Sequence, residues 1–297
     1  PANEIEEKLT QIWAKVLGIE KEKISTRQNF FEMGGTSLNL IKQLSLINKE
    51  FGIEVTANQI YQNPTIQAIA GAIRAHKFID VPVVLLNQPG KKKVFCFPPG
   101  SGFGIAYQAM ANIINDFSFY SFNFIENENR LNEYVENITR LQPAGPYTLF
   151  GWSAAGRLIF EVAGVLEYHN REVSDIVLLD CLFINYNNTI DEEKFEKQDS
   201  ESLEKESLEF VEEKVRKKAD EYINYLKHTN ALEVIHANVH LIISEDNQNN
   251  SKHDIRCWDK LTTKPVLIYN GFGSHNDMLI PGPLEKNAKV IENILKS

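Results

Sequence analysis

Pro146-Tyr147-Thr148-Leu149-Phe150-Gly151-Trp152-Ser153-Ala154-Ala155-Gly156-Arg157-Leu158-Ile159-Phe160-Glu161 decides how the larger part of the chain is read. Tyr147 to Phe150 is a short aromatic and β-branched run that suits a buried strand, and Gly151 breaks it. From Arg157 onward, Leu158, Val162, Ala163 and Leu166 recur at helical spacing. A serine at such a corner stands clear of the sheet if its neighbours are small. The helix N-terminus behind it favours developing negative charge. The stretch departs from Gly-x-Ser-x-Gly in one respect: Ala155 stands where the second glycine is usual, and Gly156 follows one residue late. Alone, it fits both a nucleophile elbow and an ordinary Gly-x-Ser turn.

Length and composition bound the rest. The 297 residues predict about two domains. Hydrophobic content of 43% and charged content of 24% are those of a globular protein. A formal net charge of −9 argues against nucleic-acid and anionic-membrane partners. No apolar run approaches the roughly 20 residues of a membrane span. The chain opens at Pro1 without a basic-then-apolar segment, which suggests a piece of something longer. Cys96, Cys181 and Cys257 are odd in number and widely spaced. They predict reduced, cytoplasmic core thiols rather than a disulfide frame or a zinc site.

The first eighty residues predict a small helical domain. Ile5, Leu9, Ile12, Trp13, Val16 and Leu17 mark one face of a helix stopped by Gly18. After a polar loop comes Phe30-Phe31-Glu32-Met33-Gly34-Gly35-Thr36-Ser37-Leu38. Leu40, Ile41, Leu44 and Ile47 then mark a second helix, Tyr61 to Asn63 a helical turn, and Thr65 to Ala75 a last helix. On its own, Ser37 is a helix cap after a Gly-Gly turn.

Its context resembles the phosphopantetheine attachment motif of peptidyl carrier domains in nonribosomal peptide synthetases, over about Asn3 to Lys77. The resemblance implies a four-helix bundle in which Ser37 carries a 4'-phosphopantetheine arm. A phosphopantetheinyl transferase would install it, and its thiol would hold a peptidyl thioester. Paired glycines let a modifying enzyme approach, and a helix N-terminus tolerates the arm's phosphate. The domain boundary falls near Lys77 to Pro82, giving domains 1–79 and 80–297. Lys91 to Lys93 reads as a solvated turn.

In the second domain, strands over Val83 to Leu86, Val94 to Phe97, Phe117 to Phe124, Asp175 to Asp180, Val239 to Asp246 and Pro265 to Tyr269 join the one before Ser153. Helices over Tyr107 to Ile114, Leu131 to Leu141 and Leu284 to Leu295 alternate with them. This predicts a mostly parallel sheet covered on both faces. The Ser153 corner resembles the nucleophile elbow of α/β-hydrolases, and that resemblance implies an α/β-hydrolase domain. Gly100, Gly102 and Gly104 do not have dinucleotide spacing. They suit a loop whose Gly100 or Ser101 N–H joins that of Ala154 in an oxyanion hole. Residues 183–236 contain no strand signal, and Glu192 to Lys218 is dense in Glu and Lys. A solvated helical pair would fit, but the position predicts a helical lid over the sheet's C-terminal edge.

A nucleophilic serine needs a base, and the base a carboxylate. Of seven histidines, only His275 follows the last strand in a glycine-rich loop; His240 sits within a strand and suits the core. Strand ends offer Asp180, or Glu245 and Asp246, as the acid. Phe97-Pro98-Pro99-Gly100-Ser101-Gly102, Gly151-Trp152-Ser153-Ala154-Ala155-Gly156, Leu178-Leu179-Asp180 and Gly273-Ser274-His275-Asn276-Asp277-Met278-Leu279 together resemble the terminal thioesterase domains of nonribosomal peptide synthetases, of the surfactin and tyrocidine type. The resemblance spans roughly 81–297 and implies Asp180 as the acid. It departs at Trp152, where tyrosine or histidine is common, and at Ala155.

The chain is thus expected to release a peptidyl thioester through a Ser153 acyl-enzyme, by macrocyclisation ahead of hydrolysis. Condensation and adenylation domains would lie upstream. From a different class, a non-catalytic carrier-docking module would share the same fold.

Overall fold

The computed structural model describes residues 2–35, 37–53, 55, 59–60, 63–75, 83–90, 92–182, 205–228, 232–248 and 256–297. By contacts the chain divides into two compact units, Pro1–Val84 with Phe195–Arg216, and Leu85–Lys194 with Lys217–Ser297.

In the first unit, α1 (Glu4–Leu17) opens on an Asn3 side-chain cap that accepts from the Glu6 N–H at 3.0 Å, and closes on Gly18 at φ 67°. Such a left-handed residue ends a helix without strain when it is glycine. Next come α2 (Ser37–Phe51) and α3 (Ile66–Ala75). Gln59 and Ile60 are helical, whereas Tyr61 and Gln62, part of the expected turn, lie outside the described residues. The core gathers Leu9, Trp13, Phe30, Leu40, Ile47, Ile66, Ile69 and Ala70. Trp13 meets Phe30 edge-on with centroids 5.1 Å apart.

The second unit is built on a seven-stranded sheet: β1 (Val83–Leu85), β2 (Lys92–Phe97), β3 (Phe117–Phe122), β4 (Tyr147–Trp152), β5 (Val173–Leu179), β6 (Asn238–Ile243) and β7 (Leu267–Asn270). The unit division falls within β1. Strand order is β1-β3-β2-β4-β5-β6-β7. Every pair from β3 through β7 is parallel. Central strands are apolar toward their C-terminal ends, as burial on both faces requires: Phe95, Phe97, Leu149, Phe150, Ile176 to Leu179 and Leu241 have no exposed surface. The connecting helices are α4 (Gln108–Ile113), α5 (Arg130–Leu141), α6 (Ala155–Tyr168), α7 (Lys205–His228) and α8 (Pro283–Lys296). α6 packs on β4 and β5 and against α5, while α8 packs on α4.

Two expectations are corrected. Lys92 and Lys93 belong to β2 rather than to a turn. The strand expected to run to Asp246 stops at Ile243, and Glu245–Gln248 is a helical turn. The cause is a long-range bond: Ser244 spends its N–H on the Asp180 carboxylate, with its hydroxyl beside it, instead of on a neighbouring strand.

Of the expected lid, α7 is described, whereas 183–204 and 229–231 lie outside the described residues. The Lys217–His228 part of α7 belongs to the second unit. There Ala219, Tyr222 and Leu226 are buried, and Tyr222 stacks on Phe124 with centroids 4.4 Å apart. Lys218 Nζ donates to the Phe124 carbonyl at 3.1 Å and pairs with Glu126. Among the described residues no helix is long and apolar enough to cross a membrane, and no group of three or more His, Cys, Asp or Glu side chains could hold a metal ion. Cys96 and Cys181 are buried free thiols; the side chain of Cys257 lies outside what is described.

Candidate active site

The corner after β4 is tight because small residues meet there. Ser153 takes φ 61°, the left-handed region that costs a side-chain-bearing residue about a kilocalorie per mole or more. A Cβ on Gly151 would lie 2.4 Å from Ala155 Cβ and 2.7 Å from Ile159 Cδ1. One on Gly156 would lie 2.9 Å from the Trp258 ring and 3.0 Å from Cys181 Cβ. The glycines are therefore needed at 151 and 156, and Ala155 fills the space that Gly151 leaves. This accounts for the departure from Gly-x-Ser-x-Gly.

The structure brings Ser153, His275 and Asp180 together at the C-terminal ends of β4, β5 and β7. Ser153 Oγ lies 2.9 Å from His275 Nε2, and His275 Nδ1 lies 2.6 Å from Asp180 Oδ2. The Asp180 side chain has 0% exposure and that of His275 32%. A buried carboxylate must be solvated by the protein. Here the Ser244 N–H donates to Oδ1 at 2.8 Å, and the Ser244 hydroxyl and Asn247 amide donate to Oδ2, each at 2.8 Å. Burial works against the charge on Asp180, but the bonds from His275 and Ser244 outweigh it and hold the carboxyl below its ordinary range. Asp180 also sits at φ 47°, a conformation aspartate tolerates better than most residues.

Asp246 serves the backbone of the same histidine: its carboxylate accepts the His275 N–H at 3.1 Å. His240 is in the core, between Asp175 Oδ1 at 3.3 Å and the Tyr269 hydroxyl at 3.0 Å. The Trp152 indole lies against His275 with centroids 5.5 Å apart.

Gly100 lies beside Ala154: a Cβ added to Gly100 would be 3.7 Å from Ala154 Cβ. The Ser153 N–H is used on Leu179 O at 3.1 Å, so it adds nothing to an oxyanion site. One residue that sequence reasoning misses fixes this region. The Tyr107 hydroxyl donates to Phe97 O at 2.6 Å and accepts the Trp152 N–H at 3.0 Å, tying the ends of β2 and β4 together. Nothing in the pattern around Tyr107 signals this, since its spacing is that of any buried helical residue. Ser244 and Asn247 carry no sequence signal either. The loop carrying Gly100 also meets α7, because a Cβ on Gly102 would lie 2.7 Å from Lys218 Cγ.

In the first unit, Ser37 is the first residue of α2; its side chain lies outside what is described. The turn before it is compact. Gly34 sits at φ 92°, Gly35 donates to Phe30 O at 3.0 Å, and a Cβ on Gly35 would lie 2.4 Å from the Phe30 ring. A serine opening a helix behind two such glycines fits a phosphate-bearing arm.

The family described as Phosphopantetheine attachment site matches residues 7–73, and the Thioesterase domain family matches residues 92–294. Surfactin synthase subunit 3 of Bacillus subtilis is 31% identical over 100% of this chain and 24% of its own length. Tyrocidine synthase 3 of Brevibacillus parabrevis is 32% identical over 100% of this chain and 5% of its own length. The chain thus spans a quarter or less of these curated relatives. Among solved structures, the thioesterase domain that cyclises the lipopeptide antibiotic surfactin superposes with a TM-score of 0.61 at 28% identity, over 73% of this chain and 96% of its own.

Proposed function

The chain belongs to the thioesterase-domain family, with a phosphopantetheine attachment domain ahead of it, and from this we propose that it releases a carrier-bound peptide at the end of a nonribosomal peptide synthetase. Release proceeds through a Ser153 acyl-enzyme and ends in macrocyclisation. The observation that carries the reading is the line Ser153 Oγ, His275 Nε2, His275 Nδ1, Asp180 Oδ2, with spacings of 2.9 and 2.6 Å.

A carrier domain of 1–79 delivers the substrate to a thioesterase domain of 80–297 whose lid is 183–236. Ser37 is the attachment point, and the arm bound there supplies the thiol that holds the peptide as a thioester. His275 Nε2 takes the Ser153 proton as Oγ bonds to the thioester carbonyl carbon. The Gly100 and Ala154 N–H groups face the oxygen as it becomes negative, each worth on the order of 3 kcal/mol. Asp180 stabilises the imidazolium and keeps the Nδ1–H pointing inward. Carbon–sulfur cleavage follows, and His275 returns the proton to sulfur. An amine or hydroxyl of the same peptide then attacks the Ser153 ester, giving its proton to His275, which passes it to Oγ as the ester bond breaks. Support for cyclisation comes from the surfactin thioesterase likeness. The upstream condensation and adenylation domains and a phosphopantetheinyl transferase are its partners, in the cytoplasm.

Product analysis tests this. Peptidyl N-acetylcysteamine thioesters carrying a free amine or hydroxyl should yield products one water lighter than the linear acid. Linear acid alone would mean a hydrolytic release enzyme. Unchanged thioester across a panel, with Ser153→Ala indistinguishable from wild type, would mean a docking module.

A further inference from the structure

The end of β6 is unusual in what it contributes. Four consecutive residues each bond either the buried acid or the loop carrying the base. The Ser244 N–H and hydroxyl donate to Asp180 Oδ1 and Oδ2, each at 2.8 Å. The Glu245 N–H donates to Gly273 O at 2.9 Å. Asp246 accepts the His275 N–H at 3.1 Å, and the Asn247 amide donates to Asp180 Oδ2 at 2.8 Å. Asp180 Oδ2 therefore receives three donors, of which His275 Nδ1 at 2.6 Å is the shortest.

We propose that Ser244–Asn247 form a clamp in which Ser244 and Asn247 are positioning residues that set, through Asp180, how readily His275 takes the Ser153 proton. Each neutral donor on Oδ2 draws off part of the charge that the carboxylate would otherwise place on the imidazolium. The clamp thus does two opposing things. It keeps a fully buried carboxylate ionised and aimed, and it shares out on Oδ2 the charge that would otherwise bear on the His275 Nδ1–H alone. Other titratable groups around the pair are Asp246 on the His275 N–H, Asp277, held by the Ser274 hydroxyl at 2.6 Å, and Cys181, whose thiol burial pushes well above its ordinary range.

The inference rests on reading Ser153, His275 and Asp180 as the reacting groups, and the experiment separates the two. The rate at which a fluorophosphonate probe adds to Ser153 of the full chain is followed by intact mass across pH, which needs no knowledge of the peptide. Wild type should label faster as pH rises along an acid limb, and Ser153→Ala should not label. Asn247→Leu and Ser244→Ala should move the limb to higher pH, by about 0.5–1 unit, because charge that the lost donor drew off Asp180 then bears on the imidazolium. Their plateau should slow about tenfold. Ser244→Thr, which keeps the hydroxyl, should label as wild type does. Limbs that stay at the wild-type pH in folded Asn247→Leu and Ser244→Ala proteins, slowed or not, would overturn the clamp. Labelling that persists in Ser153→Ala would instead remove the reading of the triad.

Discussion

Replacing Asp180 by Asn removes one charge while preserving most of the local shape, and its effect can be worked out atom by atom. Asparagine tolerates the φ of 47° at this position, so backbone strain does not confuse the result. If its oxygen keeps the Ser244 N–H, its NH2 group takes the place of Oδ2. There it faces three donors: the Ser244 hydroxyl, the Asn247 amide and His275 Nδ1. The hydroxyl can rotate to accept, but His275 can comply only by presenting a bare Nδ1. Its proton then sits on Nε2, 2.9 Å from Ser153 Oγ, where a base should be. The same substitution in a serine-protease triad costs about 10⁴-fold. At about 1.4 kcal/mol per decade, a loss of 10³- to 10⁴-fold here corresponds to roughly 4–5.5 kcal/mol of transition-state stabilisation. The amide left against donors costs a further ~1–3 kcal/mol of stability. Single-turnover acylation by a peptidyl N-acetylcysteamine thioester, with thermal melting as the folding check, measures both. An Asp180→Asn protein that is folded and acylates within tenfold of wild type would refute the reasoning.

Other expectations follow from packing and charge. Gly156→Ala should destabilise by about 1–3 kcal/mol, because its Cβ would meet the Trp258 ring at 2.9 Å and Cys181 at 3.0 Å. At roughly 2–4 °C per kcal/mol for a domain of this size, calorimetry would resolve it, and an unchanged melting temperature would contradict the packing. Asp175 is partly desolvated, yet bonds from His240, Asn238 and Ser174 hold its carboxyl at about 2, below the ordinary 3.8. A depressed carboxyl stabilises above its unfolded value and loses this as pH falls through the folded one. The stability advantage of wild type over Asp175→Asn, about 1–2 kcal/mol at pH 5, should therefore shrink between pH 4 and 2 in denaturant titrations. Glu161 runs the other way: burial lifts it to about 7, although Arg157 opposes the shift. A raised carboxyl favours folding below its unfolded value and loses this as pH rises through 7. Glu161→Gln should accordingly stabilise by about 1–3 kcal/mol at pH 8 and by much less at pH 5.

Which parts were legible in the sequence follows from where the information sits. Apolar strands fully buried in a parallel sheet announce themselves as short aliphatic and aromatic runs, as Ile176 to Leu179 do. Ser153 and His275 stand at strand ends, where position itself is the signal. The acid was harder, because Asp180 and Asp246 both end aliphatic runs and spacing treats them alike. Geometry separates them: one faces the imidazole edge and the other holds the backbone of the same histidine. Ser244 and Asn247 act on a carboxylate more than 60 residues away, and Tyr107 on a backbone N–H 45 residues away, so no local pattern carries them. The shift of β6 from strand to helical turn at Ser244 has the same cause. A residue whose N–H and hydroxyl serve a distant carboxylate cannot also extend a ladder.

The central claim joins two serines: Ser37 presents the substrate and Ser153 removes it. The most direct measurement is intact mass over time after loading the chain with an acyl-CoA and a phosphopantetheinyl transferase, beside Ser153→Ala and Ser37→Ala. The account predicts that wild type gains the acyl-arm mass and decays to the bare arm. Ser153→Ala should gain it and keep it, and Ser37→Ala should gain nothing. Decay in Ser153→Ala at the wild-type rate, or loading of Ser37→Ala, would contradict it.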